Sequence, residues 1–123
     1  MPKVPMIPIV DDDSYAREAI EQLVLSLGYN AITFESAVDF LASDGVKKTD
    51  CVIADVQMPG LSGLDLQDHL AAKGHRTPVI FITAFPEERF RARAMTAGAV
   101  GFLSKPFREE SLVTCLEAAL KQG

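Results

Sequence analysis

At 123 residues, 48% apolar and 24% charged, the chain has the size and composition of one globular domain, not of a disordered segment. Twelve Lys and Arg stand against 17 Asp and Glu, a net charge of −5, which argues against nucleic acid being held by this surface alone. No apolar run approaches the ~18 residues of a membrane span, and Met1-Pro2-Lys3-Val4-Pro5 lacks the long apolar stretch of a signal peptide. Cys51 and Cys115 belong to no C-x-x-C pair and no zinc spacing, so both read as reduced structural thiols of a cytoplasmic protein.

Met6-Ile7-Pro8-Ile9-Val10 is a first strand, followed by Asp11-Asp12-Asp13. Pro8 is awkward there, because proline removes a ladder donor. Either its nitrogen faces no neighbour, or the strand pairs only over Ile9 and Val10. Ser14 is the expected cap of a first helix, whose apolar face is Ala16, Ala19, Ile20, Leu23, Val24 and Leu27. Gly28 closes it. A second strand spans 31–34. Ser36 caps a second helix with Asp39 in its first turn and Val38, Phe40 and Leu41 apolar, and Asp44-Gly45 ends it.

Cys51-Val52-Ile53-Ala54 is a third strand, apolar throughout and therefore central, and Asp55 stands at its carboxyl end before Val56-Gln57-Met58-Pro59-Gly60. Ser62 opens a third helix carrying Leu66 and Leu70, and Gly74 ends it. Val79-Ile80-Phe81-Ile82 is a fourth, central strand, followed by Thr83-Ala84. A fourth helix over 87–97 has acids where the dipole favours them and an inner stripe of Phe90, Ala94 and Ala97. Gly101-Phe102-Leu103-Ser104 is a short fifth strand before Lys105-Pro106-Phe107. Leu112, Cys115, Leu116, Ala119 and Leu120 form one face of a last helix. Strands alternating with helices over short connections predict a doubly wound (βα)5 fold with a parallel sheet and helices on both faces.

In such a sheet the residues just after each strand share one rim, where ligands bind. That rim collects Asp11, Asp12, Asp13, Asp55, Thr83 and Lys105. Each alone has a plainer reading: a turn, a helix cap, a strand residue, a surface lysine. Together they describe a phosphoryl site. Clustered carboxylates repel unless a cation intervenes, and hard oxygen ligands suit Mg2+ or Mn2+. A free carboxylate beside a metal is the nucleophile of aspartyl-phosphate chemistry, and that role falls to Asp55. Lys105 offsets charge on the transferring oxygens, and Thr83 hydrogen-bonds one of them.

The segments Val10-Asp11-Asp12, Ala54-Asp55-Val56-Gln57-Met58-Pro59-Gly60, Ile82-Thr83-Ala84 and Gly101-Phe102-Leu103-Ser104-Lys105-Pro106-Phe107 resemble a response regulator receiver domain, the CheY-like module of two-component signalling. The resemblance covers essentially all of residues 1–123. Within 93–103 it looks most like the FixJ/NarL branch, whose receivers precede a helix-turn-helix domain; such an effector, if any, is absent from this chain. It implies a five-stranded sheet of order 2-1-3-4-5. It also implies a phosphoryl group accepted on Asp55 from a sensor histidine kinase, and Mg2+ held by Asp11, Asp12, Asp55 and the backbone carbonyl of Gln57. Thr83 and Lys105 would contact the phosphoryl group, Phe102 would be the aromatic switch, and Lys105–Pro106 a cis bond. The output face would hold Arg89, Arg91, Arg93 and Phe102, with phosphorylation-dependent homodimerisation and control of transcription through DNA that the effector binds.

Three departures stand out. Asp13 has no assigned role, Phe85-Pro86 is unusually apolar beside the site, and Phe102 lacks the hydroxyl of the tyrosine in some members. The rivals are a stand-alone receiver acting as a phosphorelay intermediate or interaction module, a Mg-dependent aspartyl-phosphate phosphatase, and a flavodoxin-like flavin carrier. The phosphatase needs a second acid where Gln57 stands, and Asp11-Asp12-Asp13 would repel the flavin phosphate. The expectation is therefore a signalling domain and not an enzyme, with at most Mg-dependent self-phosphorylation from small phosphodonors and autodephosphorylation.

Overall fold

The computed structural model describes residues 3–121. Its elements are β1 (Met6–Val10), α1 (Ser14–Ser26), β2 (Asn30–Phe34), α2 (Ala37–Ala42), β3 (Val52–Ala54), α3 (Gly63–Ala72), β4 (Val79–Thr83), α4 (Glu88–Thr96), β5 (Gly101–Ser104) and α5 (Glu109–Lys121). The strands form one parallel sheet of order β2-β1-β3-β4-β5. No described helix is long and apolar enough to cross a membrane.

Period-two alternation splits the strands between two cores. Val79 and Phe81 of β4 face Ala37, Phe40, Leu64, Leu66, Leu70 and Ala94, which belong to α2, α3 and α4. Ile80 and Ile82 face Ile20, Val24, Leu112, Leu116 and Ala119, which belong to α1 and α5. Every residue of β3 and β4 is buried, as expected of parallel strands covered on both faces.

Pro8 is accommodated because its nitrogen faces no ladder partner; the alternative, a strand paired only over Ile9 and Val10, does not hold. β1 pairs with β2 along its whole length, but with β3 only at Ile9 and Val10. The Met6 and Val10 carbonyls accept from Asp50 and Asp55 N–H on the β3 side, so Pro8, in phase with them, turns its nitrogen to where that ladder has not begun.

Several local expectations change. Asp13, not Ser14, caps α1: its side chain accepts from the Tyr15 N–H at 3.0 Å. The reason lies in the tight turn after β1, where the Asp13 N–H donates to Asp11 Oδ1 at 2.9 Å. Ala19 and Ala97 fall outside the buried stripes and are exposed. Asp44-Gly45 does not simply end α2; it opens a 3-10 turn, Asp44–Lys48. Cys51 is fully buried and Cys115 half-buried, both as free thiols, and burial pushes the Cys51 thiol up to about 12.

Ser62 caps α3 in a reciprocal box. Its hydroxyl accepts from the Asp65 N–H at 3.0 Å, and the Asp65 carboxylate accepts from the Ser62 N–H at 3.1 Å. That backbone N–H holds the Asp65 carboxyl below its ordinary 3.8, so the carboxylate stabilises the fold above that pH and the contribution fades as pH falls through the lowered value. Ser62→Ala is expected to cost about 1 kcal/mol at pH 7, read from the urea midpoint.

Candidate functional site

The carboxyl ends of β1, β3, β4 and β5 deliver Asp11, Asp55, Thr83 and Lys105 to one rim. Asp11 and Asp55 are buried, Asp12 is exposed, and one carboxylate oxygen from each lies within 4.8 Å of the others. The Lys105 Nζ donates to Asp11 Oδ2 at 2.8 Å and to Asp55 Oδ2 at 2.9 Å, joining residues from opposite ends of the chain. The Gln57 N–H donates to the other Asp55 oxygen at 3.2 Å. Each oxygen of Asp55 thus carries one bond and keeps acceptor capacity.

Burial raises the pKa of Asp11, and neighbouring Asp55 adds to the rise against the hydrogen bond from Lys105. Burial pulls the Lys105 ammonium down, but its bonds to Asp11 and Asp55 outweigh that and hold it protonated above its ordinary value. Three acids against one lysine leave the pocket under-neutralised. Their hard oxygens, within the span of a single small ion, fit a divalent metal such as Mg2+.

Thr83 is fully buried at the end of β4. Its Oγ1 accepts from the Phe85 N–H at 3.0 Å, and its carbonyl accepts from the Lys105 N–H at 2.8 Å. The hydroxyl therefore holds the start of the loop leading to α4. Phe102, one strand away, is half-buried against Phe81, with ring centroids 6.3 Å apart and tilted by 53°. The Lys105–Pro106 peptide bond is cis.

The arginines of α4 do not act as one face. Arg93 reaches across to Asp68 at 2.6 Å and Asp65 at 3.5 Å on α3. Arg89 pairs with Glu87 at 3.2 Å and lies over the Phe90 ring at 4.7 Å. Arg91 forms no ion pair among the described residues.

Three residues that shape the rim went unread in the sequence. Arg17 donates to the Asp11 carbonyl at 2.7 Å and fixes the acidic turn from the first helical turn of α1. Its spacing of six residues from Asp11 carries no signal without the turn geometry. Gly63 donates its N–H to the Val56 carbonyl at 2.9 Å and packs on the main chain of Asp55. Asp65, at the third position after Ser62, matches the Ser-x-x-Asp cap pattern and was legible in principle.

Residues 7–117 match the family described as the response regulator receiver domain. The response regulator protein TmoT of Ectopseudomonas mendocina is 44% identical over 116 residues, 94% of this chain and 53% of that protein. The transcriptional regulatory protein FixJ of Bradyrhizobium diazoefficiens is 34% identical over 117 residues, 95% of this chain and 57% of that protein. The chain thus spans about half the length of the curated relatives it matches. Among solved structures, the response regulator StyR superposes with a TM-score of 0.90 at 38% identity, covering 98% of this chain and 61% of that one. The chemotaxis protein CheY4 of Vibrio cholerae superposes at 0.85 with 26% identity, covering 96% of this chain and all (100%) of that one.

Proposed function

The chain belongs to the response regulator receiver domain family, a module of phosphorylation-dependent signalling, and on that footing we propose that Asp55 is its phosphoacceptor. The observation that carries this reading is the single lysine bridging Asp11 and Asp55 beside Asp12. An Asp55 oxygen attacks phosphorus, the bond to the donor histidine of a sensor kinase breaks, and an acyl phosphate results. Lys105 follows the developing charge, and Thr83 supplies a hydroxyl donor. Asp11, Asp12, Asp55 and the backbone carbonyl of Gln57 would hold Mg2+, with Mn2+ an acceptable substitute. When bound, that ion offsets charge on the transferring oxygens. Small phosphodonors such as acetyl phosphate serve in place of the kinase, and autodephosphorylation by water returns the acid and inorganic phosphate.

The output is a switch read at α4 and β5. When Thr83 turns to a phosphoryl oxygen, it releases the Phe85 N–H, and the loop over 84–87 vacates space for Phe102. The ring moves inward only if that contact exists, which is the differential interaction a switch requires. Arg91 and Phe102 then face a second copy, while Arg93 keeps its bridge to Asp65 and Asp68 on α3. The activated receiver dimerises in the cytoplasm and controls transcription through an effector domain, in line with the transcriptional regulators among its relatives.

Two measurements test this. Mg2+ at ten times its dissociation constant is expected to add about 1.4 kcal/mol to stability. Asp11→Asn is expected to melt higher than the wild type in EDTA, because its buried charge is gone, and to lose most of the Mg2+ shift. A melting temperature indifferent to millimolar Mg2+ contradicts the metal site. Sedimentation is expected to show a monomer that dimerises when beryllofluoride, a phosphoryl mimic, is added with Mg2+; a monomer at high micromolar concentration in both states contradicts the dimer.

A further inference from the structure

The two halves of α4 are held very differently. Its carboxyl-terminal half is fastened to α3. Ala94 is fully buried, and its carbonyl accepts both the Ala99 N–H at 3.0 Å and the Nε2 of Gln67 at 3.2 Å. Arg93, next to it, pairs with Asp68 and Asp65. The amino-terminal half has no such polar ties to α3 and is held by the half-buried Phe90 ring alone. Glu87, its cap residue, makes no side-chain capping bond, and residues 84–89 are all exposed. A groove of about 550 Å³, lined by Met58, Leu64, Phe85, Phe90 and Arg93, runs beside the helix, so its flank toward Met58 is not close-packed. The polar link from this end back to the site is the Thr83 hydroxyl on the Phe85 N–H.

Gln67 is 6% exposed, and its Oε1 is buried with no partner among the described residues. An apolar side chain of the same size would fill the space without stranding an acceptor. Reversing the amide would oppose two carbonyl oxygens at Ala94, so the orientation is fixed by its one polar contact. The amide's distinctive effect is therefore to pin α4 at Ala94.

We propose that Gln67 is a positioning residue that makes the carboxyl-terminal half of α4 a pivot, so that a change at Thr83 swings only the amino-terminal half of the helix. This rests on the phosphoacceptor reading above. The helix then converts a small side-chain movement at one end of β4 into a tilt, and keeps its register on α3 while doing so. Packed helices rearrange between discrete positions rather than deforming continuously, and a fixed end selects rotation over translation.

Amide hydrogen exchange of the whole chain, with Mg2+ and with or without beryllofluoride, tests it. In the wild type the ligand-dependent change is expected in 84–92 and not in 93–99. Gln67→Met, close in size, is expected still to bind beryllofluoride, which a ligand-induced melting shift verifies. In that variant the change spreads into 93–99, where protection falls about tenfold, the factor for one hydrogen bond of ~1.4 kcal/mol. A merely structural role for Gln67 lowers protection equally with and without ligand and leaves the wild-type boundary in place. A wild-type change spread evenly over 84–99, or a Gln67→Met variant that keeps the boundary, overturns the pivot. Failure of beryllofluoride to bind the wild type overturns the phosphoacceptor reading, and the pivot with it.

Discussion

Asp55→Asn is expected to abolish phosphorylation by acetyl phosphate and Mg2+, with intact mass showing one added group on the wild type and none on the variant. The wild-type adduct should be base-labile, as an acyl phosphate is. The loss should be complete rather than partial because the amide nitrogen is no nucleophile and the neutral side chain gives Lys105 and a metal nothing to balance. Nearby hydroxyls are poor substitutes. Ser62 is committed to the cap of α3 through Asp65, and Thr83 to the Phe85 N–H. A phosphoryl group that persists on the variant, or that moves to Ser62, rules Asp55 out as acceptor. The change is also expected to leave the fold intact, since Asn retains the shape of Asp and can still accept from Gln57.

Gly63→Ala is expected to be among the most damaging single-atom additions in the chain. A Cβ at Gly63 would overlap the carbonyl oxygen of Asp55 and press on the Phe81 ring. Neither is the free end of a flexible side chain, so relief requires α3 to back away from β3. Overpacking of this kind costs about 3 kcal/mol or more when backbone has to move. The effect should reach the chemistry as well. Any retreat of α3 disturbs the Val56 carbonyl that Gly63 bonds, one residue from the acceptor. Urea unfolding should show the lost stability, and Mg2+ titration of the surviving folded protein a weakened site. A variant with wild-type midpoint and wild-type Mg2+ affinity would mean that the contact is slack.

Much of this was legible in the residues. The rim of Asp11, Asp55, Thr83 and Lys105 follows from one rule, that parallel strands end on the same side, once apolar runs have located the strands. Strand order was not legible that way, because spacing does not say which neighbour β1 takes; only the resemblance supplied 2-1-3-4-5. Caps were misread where side chains compete. Ser14 and Asp13 are both good cap residues, and the turn that ties Asp13 to Asp11 decides between them. Periodicity marked Ala19 and Ala97 as inward because alanine is apolar on any face; it did not reveal how far each helix end extends beyond the sheet. Long-range polar partners were beyond reach altogether. Nothing in the order of residues links Gln67 to Ala94 or Arg93 to Asp68, since those contacts depend on how α3 and α4 cross.

The bond from Lys105 to Asp11 spans 94 positions. A chain emerging from the ribosome therefore exposes Asp11 long before its counter-ion has been made, and β3 and β4 come between them in time as well as in space. Until β5 docks, Asp11 and Asp55 lack the ammonium that bridges them, so on the phosphoacceptor reading a partly synthesised receiver is expected to accept a phosphoryl group poorly however well its first strands have paired. Contacts between residues so far apart in the chain form late, after the local ones. On the phosphoacceptor reading, competence to receive the signal is expected to arrive with completion of the sheet, and a protein clipped anywhere before Lys105 is expected to fall silent rather than signal weakly.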